Sequence, residues 1–303
     1  MRPEARKSAG QGALRRLAQT AVGFVAFLAL TGPALSRAAI PEVFCPDLKP
    51  AAGVDRAGNQ PQCLTTRTFE VTGAGLQVLV VFLPDDSGGN GRSVGSVGSG
   101  KPLADNGTAL QLSQKLGATT VEVQRQNFGP VPGWSDPFGT ARNDDFTLEQ
   151  VALFQAALVR LRARHSGKKI LLIGHASGAA MAALLASRFP GSAEAYLLAA
   201  CPCDVPAWRQ WRNMPSHSTA GASPSLSPQA EVQRVTAGTR IGLVVGNRDD
   251  NTLPQFSEAY VARLQAQGVK TRLTYALGAT HVSVQRSPEL LMVARNLIAE
   301  LSR

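Results

Sequence analysis

The chain has 303 residues, 44% of them hydrophobic and 17% charged, a globular composition long enough to bury a full core. Its formal charge of +10 is uneven: the first 38 residues hold six Lys/Arg and one acid, leaving 25 basic against 20 acidic residues in the remainder. Runs made only of Lys or Arg are short, Arg15-Arg16 and Lys168-Lys169, and no aromatic residues are interleaved with them, which argues against a nucleic-acid partner.

Residues 1–38 read as a signal segment. Arg2, Arg6, Lys7, Arg15 and Arg16 form a basic start, Ala21 to Leu30 is apolar, Gly32-Pro33 breaks the run, and Ser36-Arg37-Ala38 offers small residues for cleavage. An uncleaved anchor would call for a longer apolar run, since a span takes ~20 residues. The expected location is periplasmic or secreted, with no stable membrane span after signal cleavage. Residues 39–65 form a Pro/Gly-rich leader that contains Cys45 and Cys63; the other two cysteines are Cys201 and Cys203. Four cysteines allow three pairings. In an oxidising compartment a Cys45–Cys63 bridge would staple a leader with little core of its own. Cys201-Pro202-Cys203 leaves two alternatives open, a tight local bridge or buried free thiols. No cysteine or histidine spacing suggests a metal, and no cofactor motif is evident.

From residue 66 onward, apolar runs alternate with helical periodicity. Strands are predicted at 68–71, 76–83, 119–123, 169–173, 194–200, 240–245 and 271–276. Helices are predicted at 108–116, 148–163, from 174 to Arg188, at 254–267 and at 288–301. Thr147 and Gln150 have the spacing of a capping box. Continuous apolar strands separated by helices imply an α/β fold: a mostly parallel central sheet flanked by helices on both faces. Residues 204–238 lack periodicity and read as a lid-like insertion. Trp208 and Trp211 fall within it, either to line an apolar pocket or to pack the segment onto the body.

Residues 174–178 read Gly-His-Ala-Ser-Gly, between the run Ile170-Leu171-Leu172-Ile173 and an Ala/Leu-rich helix. Place and shape are those of a nucleophile elbow, Gly-x-Ser-x-Gly, but the middle position is Ala176 and the serine is one residue late, at Ser177. His175 beside it reads as a core or turn residue. Asp249 and Asp250 follow the predicted strand 240–245, and His281 follows the strand 271–276. An acid in that order can orient an imidazole, and the imidazole can take a proton from a nucleophile at the elbow. Asp249 also fits as a turn or capping acid before Pro254, and His281 as a loop histidine.

These residues together resemble the α/β-hydrolase superfamily, in particular its secreted bacterial esterase/peptidase-like branch, related in shape to the prolyl-oligopeptidase catalytic domain. The resemblance covers about residues 66–303 and implies an α/β-hydrolase fold with an eight-stranded sheet and the catalytic groups on loops at the carboxyl ends of strands. It implies Asp249 as the triad acid, with Asp250 a close rival, His281 as general base, and Ser177 as the residue whose backbone N–H faces an oxyanion. Ala176 matches the nucleophile and cannot act as one. The family's His-Gly after the first strong strand is replaced here by Pro84-Asp85. Asp86, Ser87 and Trp208 are the candidates for the oxyanion loop or for substrate contact.

Three accounts stay open on the sequence. In the first, hydrolysis is lost or strongly reduced and the old cleft binds a small ester, peptide or carboxylate. In the second, Ser177 is the nucleophile of an active serine esterase or peptidase, with His281 and Asp249. In the third, another group acts, such as a water activated by His281, or Ser87. The N-terminal reading is tested by mass spectrometry of the mature protein. The expected outcome is a new N-terminus between residues 36 and 40 and a Cys45–Cys63 disulfide; alkylation of both thiols without prior reduction excludes the bridge.

Overall fold

The structure, a computed structural model, describes residues 37–38, 42–44, 64–71, 76–85, 107–125, 146–213 and 225–303. Residues 1–36 of the signal segment, Cys45, Cys63, Asp86 and Ser87 lie outside the described residues. Among the described residues no helix is long and apolar enough to cross a membrane.

Strands β1 (Arg37–Ala38), β2 (Glu42–Phe44), β3 (Leu64–Glu70), β4 (Val78–Leu83), β5 (Thr120–Arg125), β6 (Lys169–His175), β7 (Ala195–Ala199), β8 (Ile241–Gly246) and β9 (Thr271–Ala276) form one sheet. The order is β1-β3-β5-β4-β6-β7-β8-β9, with β2 also on β3. Pairing is parallel from β5 through β9 and antiparallel around β3. The sheet thus has nine strands among the described residues rather than eight: β3 to β9 make seven, and the short strands β1 and β2 both pair with β3. β3 itself begins at Leu64, four residues before the predicted strand: the polar run Thr65 to Thr68 is held as strand by its antiparallel pairing with β5.

The middle strands are apolar throughout because both faces are covered. In β6, Ile170 and Leu172 pack into one core with helices α2 (Leu148–Arg164), α3 (Ser177–Arg188) and α6 (Pro254–Ala266). Leu171 and Ile173 point the other way, into a second core with α1 (Gly107–Leu116) and α7 (Pro288–Leu301). Side chains alternate across a strand, so a continuous apolar run needs two cores. Each fully buried Leu or Ile contributes about 1.5–3 kcal/mol, which outweighs any single surface interaction. Thr147 caps α2, its Oγ1 accepting from Gln150 N at 3.3 Å.

The segment 204–238, expected to be irregular, contains helices. Asp204 caps α4 (Val205–Trp211) by accepting from Ala207 N, and a one-turn α5 (Pro228–Glu231) runs into a 3-10 turn at Val232–Arg234. Trp208 is buried, and its Nε1 donates to Asn251 O at 3.0 Å, which ties α4 to the loop after β8. Trp211 is 39% exposed and meets Phe256 edge-on. Cys201 and Cys203 are joined by a disulfide and fully buried just beyond β7.

The tightest packing lies where β6 turns into α3. A Cβ on Gly178 would stand 2.1 Å from Leu83 O, and one on Gly174 would stand 2.3 Å from Gly178 O. Neither obstacle is a flexible side chain, so backbone must move. Gly178→Ala is expected to destabilise the fold by about 1–3 kcal/mol, the usual cost of overpacking, as measured by urea unfolding. A neutral result would mean that α3 can slide away from β4.

Candidate active site

Four chain segments converge at the carboxyl ends of the parallel strands, where open α/β sheets present their ligand sites. β4 delivers Asp85, β6 delivers His175 and the turn to α3, the loop after β8 delivers Asp249, and the loop after β9 delivers His281.

The turn is centred on Ala176, at φ 50° and ψ −116°. A positive φ is strained for any residue with a Cβ. It is held by Ala176 N donating to Ala199 O at 2.9 Å and by Ala176 O accepting from the amides of Ala179 and Ala180. The residue on the corner is Ala176, and Ser177 is already the first residue of α3. Ser177 Oγ donates to Asp85 Oδ1 at 3.1 Å.

His281 is buried, and its Nδ1 donates to Asp249 at 3.0 Å (Oδ2) and 3.2 Å (Oδ1). Asp249 is held in turn by two backbone amides: its Oδ1 accepts from Thr252 N at 2.7 Å and Asn251 N at 2.9 Å. Asp250, its rival by sequence, is exposed, whereas Asp249 is 4% exposed. The other ring nitrogen, His281 Nε2, is buried without a hydrogen-bond partner and faces Asp85 Oδ2 at 4.0 Å. No bond joins His281 to Ser177.

His175 is the last residue of β6, and sequence reading did not reveal what it holds. Its Nε2 donates to the backbone oxygen of His281 at 2.8 Å, and the two rings lie 5.0 Å apart. The central strand thereby grips the histidine loop. Burial, and then the neighbouring His281, push the His175 pKa down to about 4, so the ring is neutral at ordinary pH. The other supports of the acid loop, the Asn251 and Thr252 amides and Trp208 Nε1, were equally hidden. The run Asp249-Asp250-Asn251-Thr252 did carry one usable signal, since Asp side chains accept from amides two and three residues on.

The structure therefore brings Asp249, His281, Asp85, Ser177 and Ala176 together. Trp208 is placed behind the acid loop through Asn251, and Asp86 and Ser87 fall outside the described residues. Among the described residues no group of three or more His, Cys, Asp or Glu could hold a metal ion.

The buried neutral state of His175 has a pH consequence. Its folded pKa of about 4 lies below the ordinary histidine value of 6.5, so between these values the unfolded chain binds the extra proton. Stability should thus be full above pH ~6.5 and fall by about 3 kcal/mol as pH drops towards 4. Urea unfolding at pH 7 and pH 5 checks this, and His175→Gln, which keeps an N–H donor but does not titrate, should flatten the difference.

A model of the prolyl oligopeptidase family matches residues 150–297, the stretch from α2 to α7. No curated protein matches the sequence. Solved structures do. The esterase domain of a Rhodothermus marinus protein is 16% identical, with a TM-score of 0.53 over 88% of this chain and 98% of that one. A Pyrococcus furiosus esterase is 13% identical, with a TM-score of 0.56 over 88% and 93%. The acylaminoacyl peptidase of Pyrococcus horikoshii is 14% identical, with a TM-score of 0.60 over 90% of this chain and 41% of that longer one. The sheet order, the strand–turn–helix at 174–178 and these likenesses agree: this chain has the fold of the α/β-hydrolase superfamily.

Proposed function

We propose that this protein binds a small molecule or peptide in the cleft of a hydrolase fold, and that hydrolysis through an acyl-enzyme is lost or strongly reduced. The observation that carries this reading is the elbow. Ala176 stands on the strained corner, and the adjacent Ser177 hydroxyl is turned to Asp85 rather than to His281. A methyl group cannot attack a carbonyl, and loss of the nucleophile alone costs orders of magnitude in rate. Asp85 supports the same reading. A carboxylate beside the place where an oxyanion would develop opposes that charge, whereas a working site supplies donors. Residues Asp249 and His281 keep the arrangement of an acid orienting a base, and we assign them the role of shaping the cleft and presenting His281 to the ligand. Action outside the cytoplasm, in the periplasm or beyond, is part of the proposal. The basic-then-apolar N-terminus supports it, and the closed Cys201–Cys203 bridge suits an oxidising compartment.

The test is chemical rescue of the corner. The unmodified chain should show little or no turnover of p-nitrophenyl esters and no labelling by a fluorophosphonate. Ala176→Ser should give measurable turnover and labelling at position 176. The gain should be partial, because losing one oxyanion donor costs ~100–1000-fold and Asp85 still occupies that side. Adding Asp85→Gly should raise the rate more than additively, since nucleophile and oxyanion stabilisation act in one step. Robust turnover by the unmodified chain, abolished by Ser177→Ala, would instead identify Ser177 as a nucleophile and overturn the proposal.

A further inference from the structure

The disulfide between Cys201 and Cys203 closes a loop of three residues, Cys201-Pro202-Cys203, between the end of β7 and α4. Loop-closure entropy grows with loop length, so a bridge this short adds little to the stability of the whole chain. Its effect is local, on the path the chain takes out of the sheet. That path starts at Ala200, which turns at φ 49° and whose N–H donates to Val244 O at 2.9 Å. It ends at α4, where Cys203 O accepts from Gln229 N at 2.8 Å and Val205 N donates to Ser227 Oγ at 3.1 Å.

Both cysteines are fully buried, in the core that also holds Val205 and Tyr260. Two thiol sulfurs stand much farther apart than two bonded ones, and a close-packed interior has no slack to absorb the difference. If the bridge opens, something beside the loop must move. β7 is hydrogen-bonded between β6 and β8 along its length and resists. α4 is tied at separate points instead, and one of them is Trp208 Nε1 donating to Asn251 O at 3.0 Å. Asn251 N in turn donates to Asp249 Oδ1 at 2.9 Å, and Asp249 Oδ2 accepts from His281 Nδ1 at 3.0 Å. A displacement of α4 therefore reaches His281 through Trp208, Asn251 and Asp249.

We propose that the Cys201–Cys203 bridge is a redox-sensitive pin: opening it to two thiols shifts α4 and loosens the Asp249–His281 pair. A dithiol reductant attacks one sulfur, forms a mixed disulfide and leaves as its own cyclic disulfide, so two electrons and two protons end on Cys201 and Cys203 as thiols. Because both sulfurs are buried, exchange takes place in molecules whose α4 has lifted. Reductant and acid loop thus answer to the same motion. The pin acts on how His281 is held, whether the cleft binds its ligand or hydrolyses it.

The test reads the exchange of the His281 Nδ1–H proton with solvent by NMR in the full chain, before and after reduction with dithiothreitol. Alkylation and mass spectrometry of each sample report which cysteines are thiols, and a Cys45→Ser/Cys63→Ser background removes the other two from the readout. Reduction should speed the exchange by about tenfold or more while the amide spectrum stays dispersed, and reoxidation should reverse it. Cys203→Ser, which leaves an unbonded thiol beside a hydroxyl, should show the fast exchange with no reductant. Trp208→Phe keeps an aromatic ring and removes the N–H; it should raise the exchange in the bridged chain and leave reduction little further effect. The proposal falls if the His281 proton exchanges at one rate in the bridged and the reduced chain, or if dithiothreitol leaves the bridge closed in the folded chain. It falls equally if reduction collapses the whole amide spectrum, which would make the bridge a staple of the fold.

Discussion

The close approach of α3 to β4 and β6 is the constraint on which the rest of the structure depends. Helix and strand backbones come so near that only hydrogen fits at Gly174 and Gly178. With both ends pinched, the residue between must turn sharply, and Ala176 takes a positive φ for want of an alternative. The same turn starts α3 beside Leu83 and so sets Ser177 against Asp85 at the end of β4. The backbone bond from Ala176 to Ala199 locks the corner to β7, and the His175 ring locks the end of β6 to the histidine loop. One steric fact thereby fixes the relative places of four loops. The side chain carried by the corner residue has no part in it.

Polar contacts distinguish the acid side of the cleft from the β4 side. Asp249 is saturated by two amides and an imidazole, so its negative charge is well compensated. Asp85 receives the Ser177 hydroxyl on one oxygen, and its other oxygen stands 4.0 Å from His281 Nε2. The site thus resembles a hydrolase on the acid–histidine side and departs from one on the elbow and β4 side. That division is why position in the fold alone does not give the chemistry.

Much of the architecture was legible in the sequence because its strands are buried on both faces. Runs such as Ile170 to Ile173 leave little choice but a covered parallel strand, and the residues after strands 240–245 and 271–276 could be named before any coordinates. The choice between Asp249 and Asp250 was not legible, since adjacent residues on a loop differ only in where the turn points them. The hydroxyl direction of Ser177 was hidden for a similar reason: a one-residue offset from an elbow motif says nothing about which carboxylate lies across the gap. Residues 204–238 misled because their helices are short and are held by tertiary contacts such as Trp208 to Asn251, leaving no long periodic pattern. The cap Asp204 with Pro206 close behind was the one local clue. β3 was read short because the polar run Thr65 to Thr68 carries no strand pattern of its own, and its pairing with β5 is what makes it a strand.

The strained corner has an evolutionary consequence. A backbone conformation that costs of order 1–3 kcal/mol is often understood as maintained for the sake of a reacting side chain. Here the pinched glycines maintain it with only a methyl group in place, so selection for folding alone suffices to preserve the elbow. Alanine and serine codons can differ by a single base. A single base change can therefore place a hydroxyl on this corner without dismantling the scaffold, and the fold by itself is a poor guide to whether a given chain performs chemistry.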